Sequence, residues 1–320
     1  MIASDIRYIR HQDIDTEKWD LCVLQSVNQS IYAFSWYLNL VSPAWDALVK
    51  GDYEAVFPLP RRTKAGIRYI FMPPFTQQLG LFSPGLISPE SVRSFLEAIP
   101  VSFSLIELNL NTLNKIASMP YPCQSNRNYE LDLILGKERL EQQYSSHLRR
   151  NLRKAQQGRL SLIPYVSPAE MISLFRENRG KSLNSLGDKY YQTLERLIHG
   201  LSHRGMVRLM GATAGPNILM AAVVIAEMPG RSTLLFSATE RRMENHHALA
   251  WLIDQYITQH AGTARVFDFE GSNDDNLARF YAGFGAAETS YPSVRIDRLQ
   301  FWQRYLLQIV RKLRRFGMRA

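Results

Sequence analysis

FDFEGSNDDNLARFYAGFGA (Phe267–Ala286) places Asp268 and Glu270 alternately with Phe267 and Phe269, then starts a helix that stops at Gly285-Ala286. A period of two is that of a strand, so the two carboxylates are expected on one sheet face and the two rings on the other. A carboxyl group in apolar surroundings titrates nearer neutrality and can act as a general base, which makes Glu270 or Asp268 the candidate base. The same acids could instead cap the following helix or receive an arginine. Tyr281 lies on the helix beside Phe280 and Phe284, as an aromatic core residue would.

Upstream, RLSLIPY reads as a strand, PAEMISLFRENR and DKYYQTLERLIHGLSH as helices, and MVRLMGAT, LMAAVVIAEM and STLLFSAT as three strands. HALAWLIDQYITQH is a helix with Leu249, Leu252, Ile253, Tyr256 and Ile257 on one face. SYPSVRI closes the unit as a strand. The first half repeats this order with weaker signals, from strand DIRYIR through WDALV, YEAVFPL and IRYIFMP to SLIELNL and YELDLIL. Lys137 to Gln157 reads as one connecting helix ending at Gly158. The predicted fold class is α/β: two tandem units of mixed central sheets flanked by helices, spanning 1–140 and 141–297, with a C-terminal amphipathic helix over 298–320.

The 320 residues, 46% of them apolar, are enough for two domains of ordinary size. No stretch approaches the roughly 18 apolar residues of a membrane span, and the opening MIASDIRYIRHQDID lacks the apolar segment of an export signal, so a cytoplasmic protein is expected. Cys22 and Cys123 are too far apart to suggest a disulfide framework or a metal site, and no metal is expected. Of the net charge of +9, the segment from Arg298 onward carries +7 without one acid, leaving +2 for the rest. Trp302, Leu306, Ile309, Leu313 and Phe316 form an apolar stripe along that segment. Such a helix can lie on an anionic membrane, here the inner face, or pack on its own domain.

The element order, together with HLRRNLRKAQQG, the stretch SATERRMENHHALAWLIDQYI and the opening segment, resembles the GNAT acyltransferase superfamily. The closer likeness is to FemAB-type transferases, which look like two GNAT folds in one chain. The resemblance implies that STLLFSAT and RVFDFEG are neighbouring parallel strands that splay apart, with the reactants between them. It also implies that Tyr281 matches the tyrosine that protonates the departing group, although Asp274 stands where many such enzymes have Asn. The glycine-rich turn that holds a CoA pyrophosphate is replaced by RRMENHHA, which leaves Arg241 and Arg242 to meet phosphates by side chain. FemAB-type transferases lack that turn and take aminoacyl groups from tRNA.

Arg149 and Arg153, and Arg150 and Lys154, stack four apart on a helix whose buried stripe is Leu148, Leu152 and Ala155. With no acid between them they form a basic ridge suited to a tRNA backbone or another phosphate. Arg61, Arg62, Lys64 and Arg68 flank a hairpin turn. Phe75, Gln77 and Gln78, in the Pro-broken FMPPFTQQLGLF, are candidates for contacting a polar acceptor, with a rigid connection as the alternative. These readings imply an acyl or aminoacyl transferase acting on an amine of a cell-envelope or saccharide precursor. The donor would be aminoacyl-tRNA or acyl-CoA, no cofactor would stay bound, and an amide near Ser237 to Thr239 would hold the oxyanion. The rivals are a non-catalytic anion- or membrane-binding protein and a CoA-dependent N-acetyltransferase.

Overall fold

The computed structural model describes residues 5–116, 121–181, 186–215, 218–240, 247–271 and 273–304. In chain order they form β1 (Ile6–Ile9), α1 (Thr16–Gln25), α2 (Ser35–Val41), β2 (Trp45–Lys50), β3 (Ala55–Lys64), β4 (Ile67–Ile70), α3 (Pro89–Glu97), β5 (Leu105–Asn109) and β6 (Cys123–Asp132). There follow α4 (Lys137–Gln143), α5 (Ser146–Gln157), β7 (Leu160–Ile163), α6 (Pro168–Phe175), α7 (Asp188–His203), β8 (Val207–Ala214), β9 (Ile218–Met228) and β10 (Arg231–Thr239). The chain ends with α8 (Ala248–His260), β11 (Val266–Asp268), α9 (Asp275–Ala282) and β12 (Ala287–Asp297). The chain is thus α/β, as expected.

Two compact units emerge, one of Met1–Ser125 with Tyr291–Ala320, the other of Asn126–Ser290. These are not the sequence halves 1–140 and 141–297. In the first unit β1, β2, β3 and β4 pair antiparallel in turn, β4 runs parallel to β5, and β12 adds antiparallel to β5. The second unit repeats that sequence of pairings with β7, β8, β9 and β10, parallel β11, and antiparallel β6. Each final strand therefore comes from the other half of the sequence. Register decides this: Phe267 pairs with Leu131, and Val294 with Leu108, matching buried residues to buried residues.

Local chemistry explains the boundaries. β3 and β4 are joined by Ala65 and Gly66, both left-handed (φ 50° and 74°), the two-residue turn whose twist matches that of the paired strands. Ser167 and Glu170 form a reciprocal capping box at the start of α6. The connecting helix expected over Lys137–Gln157 is two helices, because Tyr144 is extended (φ −64°, ψ 138°) and Ser145 caps α5 by accepting from the Leu148 amide. That break turns the Tyr144 ring inward, where its hydroxyl meets Asp254 at 2.9 Å. Gly158 ends α5 as expected.

The core of the second unit collects Leu140, Leu148, Leu152 and Ala155 of α4 and α5, Leu252, Ile253 and Tyr256 of α8, and Phe267 and Phe269. The first unit's core is built on Phe57, Phe95, Phe103 and Ile106. Its one deeply buried acid among the described residues, Asp46, is satisfied by Arg61 at 2.5 Å and the Tyr8 hydroxyl at 2.5 Å. Arg62 and Arg68 lie over Phe71 and Phe103, so the basic hairpin is held by rings and one acid. No helix among the described residues is long and apolar enough to cross a membrane.

Candidate functional site

β10 has nine residues, but only Arg231, Ser232 and Thr233 pair with β11. Beyond Thr233 the two strands part. β10 continues along β9 with a bulge between Leu234 and Phe236, while the other chain stays with β6: the Phe269 amide donates to the Tyr129 carbonyl at 3.0 Å. Alternate amides of β10 past Thr233 point away from β9, toward the side that β11 has left. Glu270 then takes a left-handed conformation (φ 58°), which a non-glycine residue adopts at a cost of about 1–2 kcal/mol. Its amide donates to Asp268 Oδ1 at 2.9 Å, which closes the turn. At Gly271 a Cβ would lie 1.8 Å from the Arg127 carbonyl oxygen, so only glycine lets the chain keep against β6 here.

The two acids have different surroundings. Asp268 is 3% exposed and accepts from Arg231 at 2.6 Å and from the Asn128 amide group at 3.2 Å. Arg231 also reaches Glu130 at 2.5 Å. Burial works against the Arg231 charge, but Asp268 and Glu130 outweigh it and hold the guanidinium cationic. Glu270 is half-buried and lies beyond the last β11 residue, so the alternation that would put both acids on one face stops at Asp268.

Tyr281, on α9, packs its ring at a tilt against Phe269 (centroids 5.2 Å) and Tyr129 (6.1 Å). Its hydroxyl is pushed up to about 12, first by burial, then by the negative charge of Glu270, with Arg179 opposing and Asp268 adding a smaller push. Tyr190, at the start of α7, is likewise pushed up to about 12 by burial, by Tyr191 and by Glu270. Glu270 therefore lies within electrostatic reach of two tyrosines that come from different helices. Arg179 belongs to a π turn (Arg176–Gly180) that extends α6, and its charge also acts on Asp274. Asp274 accepts from the Leu277 and Asn276 amides as the α9 cap, and these bonds hold its carboxyl below the usual range. In the same π turn Asn178 donates to the Leu174 carbonyl (2.9 Å) and to Glu240 (3.3 Å), just past the end of β10.

The charge of Glu270 thus acts on Tyr281 and Tyr190, and that of Arg179 on Tyr281, just past the end of β11, where buried Asp268 is held by half-buried Arg231. Sequence reasoning named Asp268, Glu270 and Tyr281 as candidates, and the structure brings the three near one another. That reasoning missed Tyr190 and Arg179, whose signals were a second tyrosine at the head of an amphipathic helix and a polar RENRG run closing an apolar one.

The other expected site residues lie elsewhere. On α5, Leu148, Leu152 and Ala155 are buried as expected, and the four cations are exposed. Arg149 and Arg153 line a cavity of about 280 Å³ with Glu141, Tyr144, Leu152, Gln156 and Asp254; Arg150 and Lys154 do not line it. In the first unit, Phe75 is left-handed (φ 57°) and its carbonyl accepts from the Tyr37 hydroxyl. Gln78 donates to the Gln77 side chain (2.8 Å) and accepts from the Thr112 amide (3.2 Å). Both side chains thus bond within the protein, which is also what a rigid connection would show. Arg241 and Arg242 lie outside the described residues, as does 305–320 of the expected C-terminal helix. No group of three or more His, Cys, Asp or Glu among the described residues could hold a metal ion.

The chain is an α/β fold of two units that share one order of strand pairings. Among solved structures it is similar to FemX, at 12% identity and a TM-score of 0.62, covering 94% of this chain and 99% of that one. It is also similar to L-PGS from Bacillus licheniformis, at 12% identity and a TM-score of 0.53, covering 93% and 96%. A third likeness is to the C-terminal domain of a protein assigned as a lysylphosphatidylglycerol synthetase from Agrobacterium fabrum (10% identity, TM-score 0.50, covering 92% and 95%). No family model and no curated protein matches the chain. At these identities the likeness establishes the fold.

Proposed function

We propose that the protein is an aminoacyl or acyl transferase that joins an activated carboxyl carbon to an amine of a cell-envelope precursor. The observation that carries this reading is the placement of Glu270, with Tyr281 and Tyr190 in its field, at the point where two parallel strands separate. The repeated pairing order of the two units supports a tandem GNAT-like architecture for the chain. The names of FemX and of a lysylphosphatidylglycerol synthetase support an aminoacyl donor and an envelope acceptor.

In the reaction the amine nitrogen attacks the acyl carbon, forming the C–N bond while the C–O bond of an ester, or the C–S bond of a thioester, breaks. Glu270 takes the proton lost by the amine. Tyr281, protonated at neutral pH like any tyrosine, would offer its hydroxyl to the leaving oxygen or sulfur. An amide of β10 near Ser237–Thr239 would hold the oxyanion between attack and departure. Asp268, committed to Arg231 and Asn128, positions the Glu270 turn instead of acting as base. The acid-free charge from Arg298 onward supports contact with an anionic inner membrane face, where a lipid-linked acceptor would be met.

Donor class is tested by thermal stabilisation of the full chain with aminoacyl-tRNA, acetyl-CoA and heparin as separate probes. Stabilisation by charged tRNA above that by heparin is the expected result. A response to acetyl-CoA alone would assign a CoA-dependent enzyme, and an equal response to every polyanion would assign a binding protein.

A further inference from the structure

We propose that the cavity between α4, α5 and α8 is a second ligand site, separate from the Glu270 site, that takes a small zwitterion bearing an ammonium group and an oxyanion. Its floor is Asp254, which is 7% exposed in the middle of the otherwise apolar face of α8. Among the described residues its side-chain partner is the Tyr144 hydroxyl at 2.9 Å, and Lys137, whose charge acts on it, is paired at 3.7 Å with Glu141 instead. A buried carboxylate is costly unless a cation or hydrogen-bond donors meet it. Here the space beside it is open: about 280 Å³, bounded also by Glu141, Leu152 and Gln156. That volume falls at the lower edge of small-molecule sites, which span roughly 300–1,000 Å³, and fits a ligand of metabolite size.

The rim has the opposite sign. Arg149 and Arg153 line the same cavity from successive turns of α5, and neither has an ion-pair partner among the described residues; Arg153 makes only a long bond, 3.4 Å, to the Arg149 carbonyl. Two unpaired guanidinium groups one turn apart suit a phosphate or carboxylate, which each can grip with two parallel donors. They do not reach the Asp254 carboxylate, so the cavity keeps negative charge at its floor and positive charge at its mouth. A ligand that places an ammonium against Asp254 and Glu141, and an oxyanion between Arg149 and Arg153, satisfies both ends at once. The chain break at Tyr144 is what makes the site, because a continuous helix would carry the hydroxyl away from Asp254. Burial raises the Asp254 pKa, a further sign that this group is held in a setting it would not occupy for stability alone.

The test is calorimetric titration of the full chain with O-phosphoethanolamine and with β-alanine, beside the half-ligands ethanolamine and inorganic phosphate. At least one zwitterion is expected to bind ten-fold or more tightly than either half. Preference for the phosphate identifies a phosphoamine or headgroup source, and preference for the carboxylate an amino-acid source. Arg153→Gln, a surface change, and Tyr144→Phe should each weaken binding at least ten-fold, whereas Arg150→Gln with Lys154→Gln should leave it unchanged. Glu270→Gln should also bind normally, which separates this site from the proposed transferase centre. Phosphate binding as tightly as the zwitterions, no binding of either zwitterion at millimolar concentration, or equal weakening by the Arg150 and Lys154 changes would overturn the proposal.

Discussion

Asp268→Asn and Glu270→Gln are chemically matched changes two residues apart, yet the structure assigns them different consequences. Asp268 is 3% exposed and accepts from Arg231 at 2.6 Å, the Asn128 amide group at 3.2 Å and the Glu270 amide at 2.9 Å. Hydrogen bonds to a charged group contribute about 1.5–3 kcal/mol each, and an asparagine must also present a donor to surroundings that are all donors. Arg231 keeps Glu130 at 2.5 Å, so its charge is not stranded and the loss stops short of a fully broken buried pair. The net cost of Asp268→Asn is about 2–4 kcal/mol, which lowers Tm by on the order of 5–15 °C for a unit of this size. Glu270→Gln, half-buried and past the end of β11, should cost at most about 1 kcal/mol. Urea denaturation followed by circular dichroism measures both. Equal losses, or an Asp268→Asn protein as stable as the parent, would refute the division of the two acids into support and site.

Gly271→Ala forces a Cβ to 1.8 Å from the Arg127 carbonyl, a backbone atom that cannot step aside; the chain must shift off β6, and a loss of about 2–4 kcal/mol is expected in denaturant titrations. Tyr281 and Tyr190 ionise at about 12 in the folded protein against 10.0 for a free tyrosine, so the unfolded chain gives up these protons first. Their contribution to stability is complete below pH 10 and is lost as pH rises toward 12; Tyr281→Phe should flatten that decline, read from Tm against pH. Asp254, raised by burial with Glu141 adding to the rise and Tyr144 and Lys137 opposing it, contributes stability at acid pH that is lost as it ionises. Asp254→Asn, which does not titrate, should therefore gain stability relative to the parent as pH rises from 4 to 7, and a variant that instead loses stability relative to the parent over that range would contradict the buried setting.

Most of the secondary structure was legible because the decisive segments are periodic. The stripe Leu252, Ile253, Tyr256 and Ile257 in α8 reflects a buried face, and the rings of FDFE are buried, although Asp268 between them is buried too. Pairing partners were not legible in the same way. Nothing local to β6 distinguishes β11 from β5 as its neighbour, since each offers a buried strand of similar composition, so the exchange of final strands between units shows only in the register. The single helix predicted over Lys137–Gln157 failed at Tyr144, where a buried hydroxyl bond to Asp254, more than a hundred residues away, outweighs local propensity. Asp268 looked like an equal alternative to Glu270 because sequence cannot show that Arg231 lies across from it. Arg179 and Tyr190 escaped notice because they enter the site through tertiary packing of α6 and α7, which no spacing announces.

The central claim is that Glu270 removes the proton of an attacking amine at the opening between β10 and β11. Its most direct test is single-turnover transfer of a labelled aminoacyl group from charged tRNA to an envelope-precursor amine, comparing the parent with Glu270→Gln of matched stability. Removing a positioned base lowers such a rate by about 10²–10⁴-fold, and that loss is predicted here with donor binding retained. Transfer by Glu270→Gln at the parental rate would contradict the account.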